Sequence, residues 1–251
     1  MPAKQGVPLL LASVDGPAEA AIALQAGAGI LDAKDPRSGS LGACAPSVLR
    51  AIVAIRGQSG VPVSAALGDA ADQPGTFALA AAGAAACGAD FLKVGLRFAA
   101  DEDRAAVFLS TVVEAARAIS PGVRVIAAAY AEAASIGTLA PALLPAIAAR
   151  ASASGCLIDT ALKDGRSLLD HLDANALARF VGACRERGLL CGLAGSLSLA
   201  QVPRLLELGP DAIGVRGAIC AGGRGGRLDP LRLRAFADAL RDCLADARPP
   251  A

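Results

Sequence analysis

Lysine is scarce in this chain: 4 lysines stand beside 20 arginines in 251 residues. Lys4 lies in the N-terminal tail. The other three occupy GILDAKDPRSGSLG (29–42), FLKVGL (91–96) and DTALKDG (159–165), as Lys34, Lys93 and Lys163. Arginine stays protonated in proteins, whereas a crowded or desolvated lysine can lose its proton and attack a carbonyl carbon, forming an imine. Lowering a lysine pKa from about 10.4 to about 7–8 raises the reactive amine fraction roughly a hundredfold or more, and neighbouring cations push in that direction. A chain that uses arginine wherever charge suffices keeps lysine where arginine would fail. Pairing with acids or binding phosphate is the plainer reading of the same three residues.

Acids accompany the lysines. Asp32 precedes Lys34 by two residues, so both project from one face of an extended segment. Asp159 precedes Lys163 by four. Carboxylates placed this way orient ammonium groups and carry protons, although a structural ion pair uses the same spacing. Asp15 and Asp69 also follow apolar runs and are expected to cap turns or helices. One histidine, His171, leaves little for a His-rich metal site or a Ser-His-Asp triad, so neither metal nor cofactor is expected. The 7 cysteines, including Cys243, are scattered and never spaced Cys-x-x-Cys. They read as reduced thiols of a cytoplasmic protein.

An anion site is expected near the chain's end. Gly195-Ser196 and Gly217-Ala218 follow the last two apolar runs, where backbone N–H groups can approach a phosphate, with Arg216 beside them. Ordinary loop glycines are the alternative. GGRGGR (222–227) lacks the Lys-Ser/Thr ending of a nucleotide loop and reads as a flap. GSLG (39–42) is a candidate contact for a second phosphate.

Eight apolar runs must position these groups: 9–14, 29–34, 61–67, 91–96, 123–130, 155–160, 189–195 and 212–217. Helical patterns lie between and after them, at 17–25, 46–55, 75–87, 105–119, 141–150, 174–187, 199–208 and 231–245. Strict alternation argues for parallel βαβ units, and near-continuous apolar strands suit burial on both faces. The expectation is a single-domain (β/α)8 (TIM) barrel spanning 1–251, with short tails at both ends. A doubly wound open sheet is the runner-up, but its first turn, SVDGPAEA, has one glycine where a dinucleotide fingerprint needs more. In a barrel, strands 2, 4 and 6 aim alternate residues at one cavity, which would gather Lys34, Lys93 and Lys163 at the C-terminal mouth.

The net charge of +1 and 3% aromatic content argue against nucleic acid and anionic membranes as partners. No secretory leader is legible, and the longest apolar run, near Phe77–Ala89, is too short to span a bilayer. The 54% hydrophobic content is compatible with a homo-oligomer.

DAKDPRSGSLG (32–42), LGDAADQPGT (67–76), FLKVGL (91–96) and DTALKDGRSLLDHL (159–172) resemble the signature segments of the (5-formylfuran-3-yl)methyl phosphate synthase family. The similarity runs through all eight strands. It implies a carbon–oxygen lyase acting in biosynthesis of a methanofuran-type one-carbon cofactor. The small-molecule substrate it implies is glyceraldehyde-3-phosphate, of which two molecules condense. Carried across, Lys34 matches the Schiff-base lysine, Lys93 the proton acceptor, and Asp159 with Lys163 the remaining catalytic pair. Ala33, Leu162 and Arg97 depart from the family pattern without removing a catalytic group. Two trioses supply the six carbons of the furan product, with loss of one phosphate and two waters. The competing readings are a class I aldolase acting on another sugar phosphate and a non-catalytic phosphometabolite-binding barrel.

Overall fold

The computed structural model describes residues 7–69 and 72–245; Lys4 and the ends of both expected tails lie outside them. Eight parallel strands form one closed barrel: β1 Leu9–Val14, β2 Ile30–Ala33, β3 Val63–Asp69, β4 Phe91–Gly95, β5 Arg124–Tyr130, β6 Gly155–Asp159, β7 Leu190–Leu193 and β8 Ala212–Val215. The hydrogen-bonded pairing of β1 with β8 closes the sheet, which an open doubly wound arrangement would leave unpaired. The outer helices are α1 Pro17–Gln25, α2 Pro46–Arg56, α3 Pro74–Ala86, α4 Glu102–Ile119, α6 Leu144–Arg150, α8 Ala174–Glu186, α9 Val202–Leu208 and α10 Pro230–Ala245. Two further helices, α5 Ala133–Ile136 and α7 Leu168–His171, sit in the loops after β5 and β6. Each has 4 residues, too short for an apolar period to mark it in sequence.

Local chemistry sets the helix starts. Proline opens α1, α2 and α3, where its missing N–H costs nothing. The carboxylates of Asp101 and Asp173 cap α4 and α8 by accepting from Arg104 N and Ala176 N. Expected helices 141–150 and 199–208 each begin with a 3₁₀ turn before their α-helical part.

Alternation along each strand divides the apolar residues into two cores. Leu31, Ala33, Leu92, Val94, Cys156 and Ile158 face the helices. Ala66, Phe91, Ile126, Ala128, Leu157 and Ala194 fill the barrel interior, joined by Leu41 from the loop after β2. Above this plug the inward positions turn polar. Ser13, Asp32 and Ser64 stand in register on β1, β2 and β3, and Lys93 stands on β4. Among the described residues no helix is long and apolar enough to cross a membrane. Cys44, Cys87, Cys156, Cys184, Cys191 and Cys220 are free thiols, and the side chain of Cys243 lies outside the described residues.

Candidate active site

The barrel mouth holds a cavity of about 400 Å³ lined by Asp32, Lys34, Lys93, Asp159 and Lys163. The three lysines expected at one mouth therefore meet. Their pairing differs from the one that sequence neighbours suggest. Asp32, two residues from Lys34, bonds instead to Lys93, with Nζ 2.7 Å from Asp32 Oδ2. Ser13 Oγ donates to the same oxygen at 2.9 Å. Asp32 Oδ1 is buried and has no partner among the described residues.

Lys34 instead faces Asp159, 125 positions further along the sequence: its Nζ stands 3.9 Å from Asp159 Oδ2. Asp159 Oδ1 accepts from Thr160 N at 2.7 Å and from Lys163 Nζ at 3.3 Å. Lys163 is further held by Thr160 O at 2.6 Å and Thr160 Oγ1 at 2.9 Å. Burial depresses the Lys34 amine to about 8; Lys93 and Arg224 add to that, while Asp159 and Asp32 resist it. For Asp159, burial pushes the carboxyl up, but Lys163, Lys34, the Thr160 N–H and Lys93 outweigh it and hold the group below its ordinary value. One lysine is thus poised to lose its proton beside a carboxylate that stays charged.

The turn carrying Lys163 is braced from both sides. Glu132, buried at the start of the loop after β5, accepts from Ala161 N at 3.0 Å and Leu162 N at 2.9 Å. His171 Nε2 lies 4.0 Å from the same carboxylate. On the other side Ser40 Oγ donates to Thr160 O at 2.7 Å and Ala161 O at 3.3 Å. GSLG therefore acts as a brace and, through buried Leu41, as part of the interior plug.

Gly195, Ser196, Gly217 and Ala218 line the same cavity. Gly195 and Ser196 both take positive φ, 112° and 50°, and a Cβ on Gly195 would lie 2.9 Å from Thr160 N. Glycine is required there for the chain to turn over the end of β6. The N–H groups of these four residues donate to no protein acceptor among the described residues. They are free to receive an anion.

Arg216, expected beside a phosphate, lines the cavity with its donors turned to protein acceptors. Nε donates to Arg224 O at 3.2 Å, Nη1 to Ser13 O at 3.1 Å and to Glu19 Oε2, and Nη2 to Glu19 Oε1 at 3.3 Å and Gly226 O at 3.0 Å. All five guanidinium N–H groups are engaged. Glu19 also accepts from Asp15 N at 3.0 Å and Leu228 N at 2.9 Å. GGRGGR is thereby tied to the barrel by a buried Arg–Glu pair.

The helix-capping roles expected of Asp15 and Asp69 do not occur among the described residues. Position Gly16 caps α1 and Gln73 precedes α3, neither with a side-chain bond. Asp15 lies 3.7 Å from Arg216, and Asp69 is a half-buried carboxyl raised by desolvation. Sequence reading also missed Glu19, Glu132, Ser13, Thr160 and Arg224. Glu19 and Glu132 carried a faint signal, since each is an acid within an Ala-rich stretch just past a strand.

A family model described as 4-HFC-P synthase matches residues 10–237. The chain belongs to the 4-HFC-P synthase family. The (5-formylfuran-3-yl)methyl phosphate synthase of Methanosarcina barkeri is 42% identical over 216 residues, 86% of this chain and 92% of the relative. Its namesake in Methanocaldococcus jannaschii is 42% identical over 223 residues, 88% and 94% of the two chains. Among solved structures, phosphoribosyl anthranilate isomerase of Thermus thermophilus superposes with a TM-score of 0.62 at 19% identity, covering 96% of this chain and 100% of that one. That likeness carries the barrel fold alone. In this member of the 4-HFC-P synthase family, the four residues that carried the resemblance, Lys34, Lys93, Asp159 and Lys163, share one cavity. Among the described residues, no three His, Cys, Asp or Glu side chains are grouped to hold a metal ion.

Proposed function

We propose that this enzyme condenses two molecules of glyceraldehyde-3-phosphate into (5-formylfuran-3-yl)methyl phosphate, releasing one phosphate and two waters, through an imine on Lys34. The observation that carries this reading is the buried Lys34 amine, held at about 8 and 3.9 Å from Asp159. An amine of that pKa is partly neutral near pH 7–8 and can attack an aldehyde, and the resulting imine serves as electron sink for carbanion steps.

The remaining groups take roles by position. Lys93 passes its proton to Asp32, which Ser13 holds, and the amine so freed removes the proton from the imine-bearing triose. Loss of phosphate, aldol joining to the second triose, ring closure and dehydration follow. Asp159 and Lys163 serve their proton transfers, a pair whose geometry is set by Thr160 and by the Glu132 brace. The N–H groups of Gly195, Ser196, Gly217 and Ala218 receive one phosphate, with Arg216 shaping the loop instead of touching the anion. Family membership supports the reaction, and the atoms balance: two trioses less one phosphoric acid and two waters give the product's composition.

Incubation with glyceraldehyde-3-phosphate alone, followed by mass analysis, tests the reading. A six-carbon furan phosphate and inorganic phosphate are expected. A six-carbon sugar phosphate without a ring would make the enzyme an ordinary class I aldolase, and unchanged triose would end the proposal.

A further inference from the structure

Two triose phosphates bring two dianions to one mouth, and both must be held while Lys34 reacts. The backbone N–H groups of Gly195, Ser196, Gly217 and Ala218 account for one. The cations lining the cavity can be sorted by what already engages them. Lys34 is the nucleophile. Lys93 is bonded to Asp32 at 2.7 Å. Lys163 is bonded to Thr160 and Asp159. Arg216 has all five N–H groups engaged. Arg224 is different: among the described residues its side chain donates to one acceptor, the carbonyl oxygen of Gly39.

We propose that Arg224 holds the phosphate of the second triose, reaching over the mouth from the loop after β8. The inference rests on the reading above, that two triose phosphates meet at Lys34.

The placement is built by the fold. The backbone of Arg224 passes directly over Gly217, whose added Cβ would meet Arg224 N at 3.6 Å and Arg224 Cα at 3.9 Å. Arg216 holds that stretch by donating from Nε to Arg224 O and from Nη2 to Gly226 O. The side chain then extends to Gly39, in the loop after β2, so it bridges the rim on either side of β1. A guanidinium there is rooted over Gly217, ends at Gly39, and lines the same cavity as Lys34. It also lies within the field of Lys34, Asp159 and Asp69, and burial with the nearby Arg216 charge disfavours its own charge. A guanidinium with no ion pair among the described residues and with free N–H groups fits a phosphate better than it fits one carbonyl, because the planar fork presents two parallel donors to two anionic oxygens.

Arg224→Gln provides the test, since glutamine keeps a donor for Gly39 O and removes the charge; Arg224→Ala removes both. Two measurements are made on the full chain. Borohydride trapping of glyceraldehyde-3-phosphate on Lys34 reports the first triose. Ring formation without borohydride, from glyceraldehyde-3-phosphate mixed with isotope-labelled glyceraldehyde-3-phosphate or isotope-labelled unphosphorylated glyceraldehyde, reports the second. Wild type should prefer the phosphorylated second reactant, and both variants should lose that preference by roughly 10–100-fold, with half-saturation of trapping unchanged at alkaline pH, where Lys34 is neutral with or without the Arg224 charge. The proposal is overturned if the variants slow both second reactants equally, as a mere latch on Gly39 would, or if trapping itself weakens in step, which would assign Arg224 to the first phosphate. Absence of any Lys34 adduct or furan in wild type would instead refute the underlying reaction.

Discussion

Lys34 and Asp159 stand at ion-pair distance, 3.9 Å, without a hydrogen bond between them, while Lys93 and Asp32 are bonded at 2.7 Å. The looser contact leaves Lys34 able to lose its proton, and the tighter one keeps Lys93 oriented. The pH dependence follows. A lysine held at about 8 is protonated below that pH and neutral above it, so kcat/KM should rise through about pH 8. The Asp159 charge resists the depression, so Asp159→Asn should move this limb to lower pH while lowering kcat roughly 10²–10⁴-fold. A limb that stays in place, or a change in KM alone, would remove Asp159 from the proton-transfer role.

Lys34→Arg should be almost inactive, with a loss of at least about 10²–10⁴-fold, although it keeps charge and reach. Borohydride with substrate should label the wild-type peptide containing Lys34 and leave the variant's peptide unlabelled. Labelling at Lys93 or Lys163 would permute the assigned roles.

Glu132→Gln keeps the shape of the brace but turns one acceptor into a donor facing an N–H group. Ala161 N or Leu162 N then loses its partner, which costs about 1–3 kcal/mol of stability. Because the turn carries Lys163, kcat should fall more than KM rises. Denaturant unfolding and steady-state kinetics on one preparation measure both, and unchanged kcat with reduced stability would confine Glu132 to a structural part.

Glu19→Ala leaves Arg216 buried without its counter-charge, and breaking such a pair costs about 3–5 kcal/mol. Glu19 is held below its ordinary value, with burial opposing and Arg216 and two backbone N–H groups prevailing. The stability it contributes is therefore present above the unfolded carboxylate pKa and lost as pH falls through the lower folded value. Urea titrations of both proteins at neutral and acid pH should show their difference shrinking as pH falls.

Activity should survive exhaustive chelation, since the imine supplies the electron sink. Loss of turnover with a chelator, restored by a divalent metal, would redirect the mechanism toward carboxylate ligands such as Asp32 and Asp159.

The barrel, its eight strands to within two residues at every end, and the convergence of Lys34, Lys93 and Lys163 were legible in sequence alone. Their physical basis is local: a two-residue period aims Asp32 and Lys34 inward with Ala33 outward, and eight alternating units close in one way. The partnerships were not legible. Asp32 is nearer in sequence to Lys34 yet bonds Lys93, because β4 stands one strand beyond β3 with its inward residue within reach of Asp32. Arg216 reads as an anion ligand until Glu19, 197 positions away, takes its donors. Glu132 reads as an ordinary loop acid until the turn after β6 comes within 3.0 Å of it. Side-chain direction follows from strand period, but which charges neutralise one another depends on strand register, loop course and burial, and those exist only once the barrel has closed.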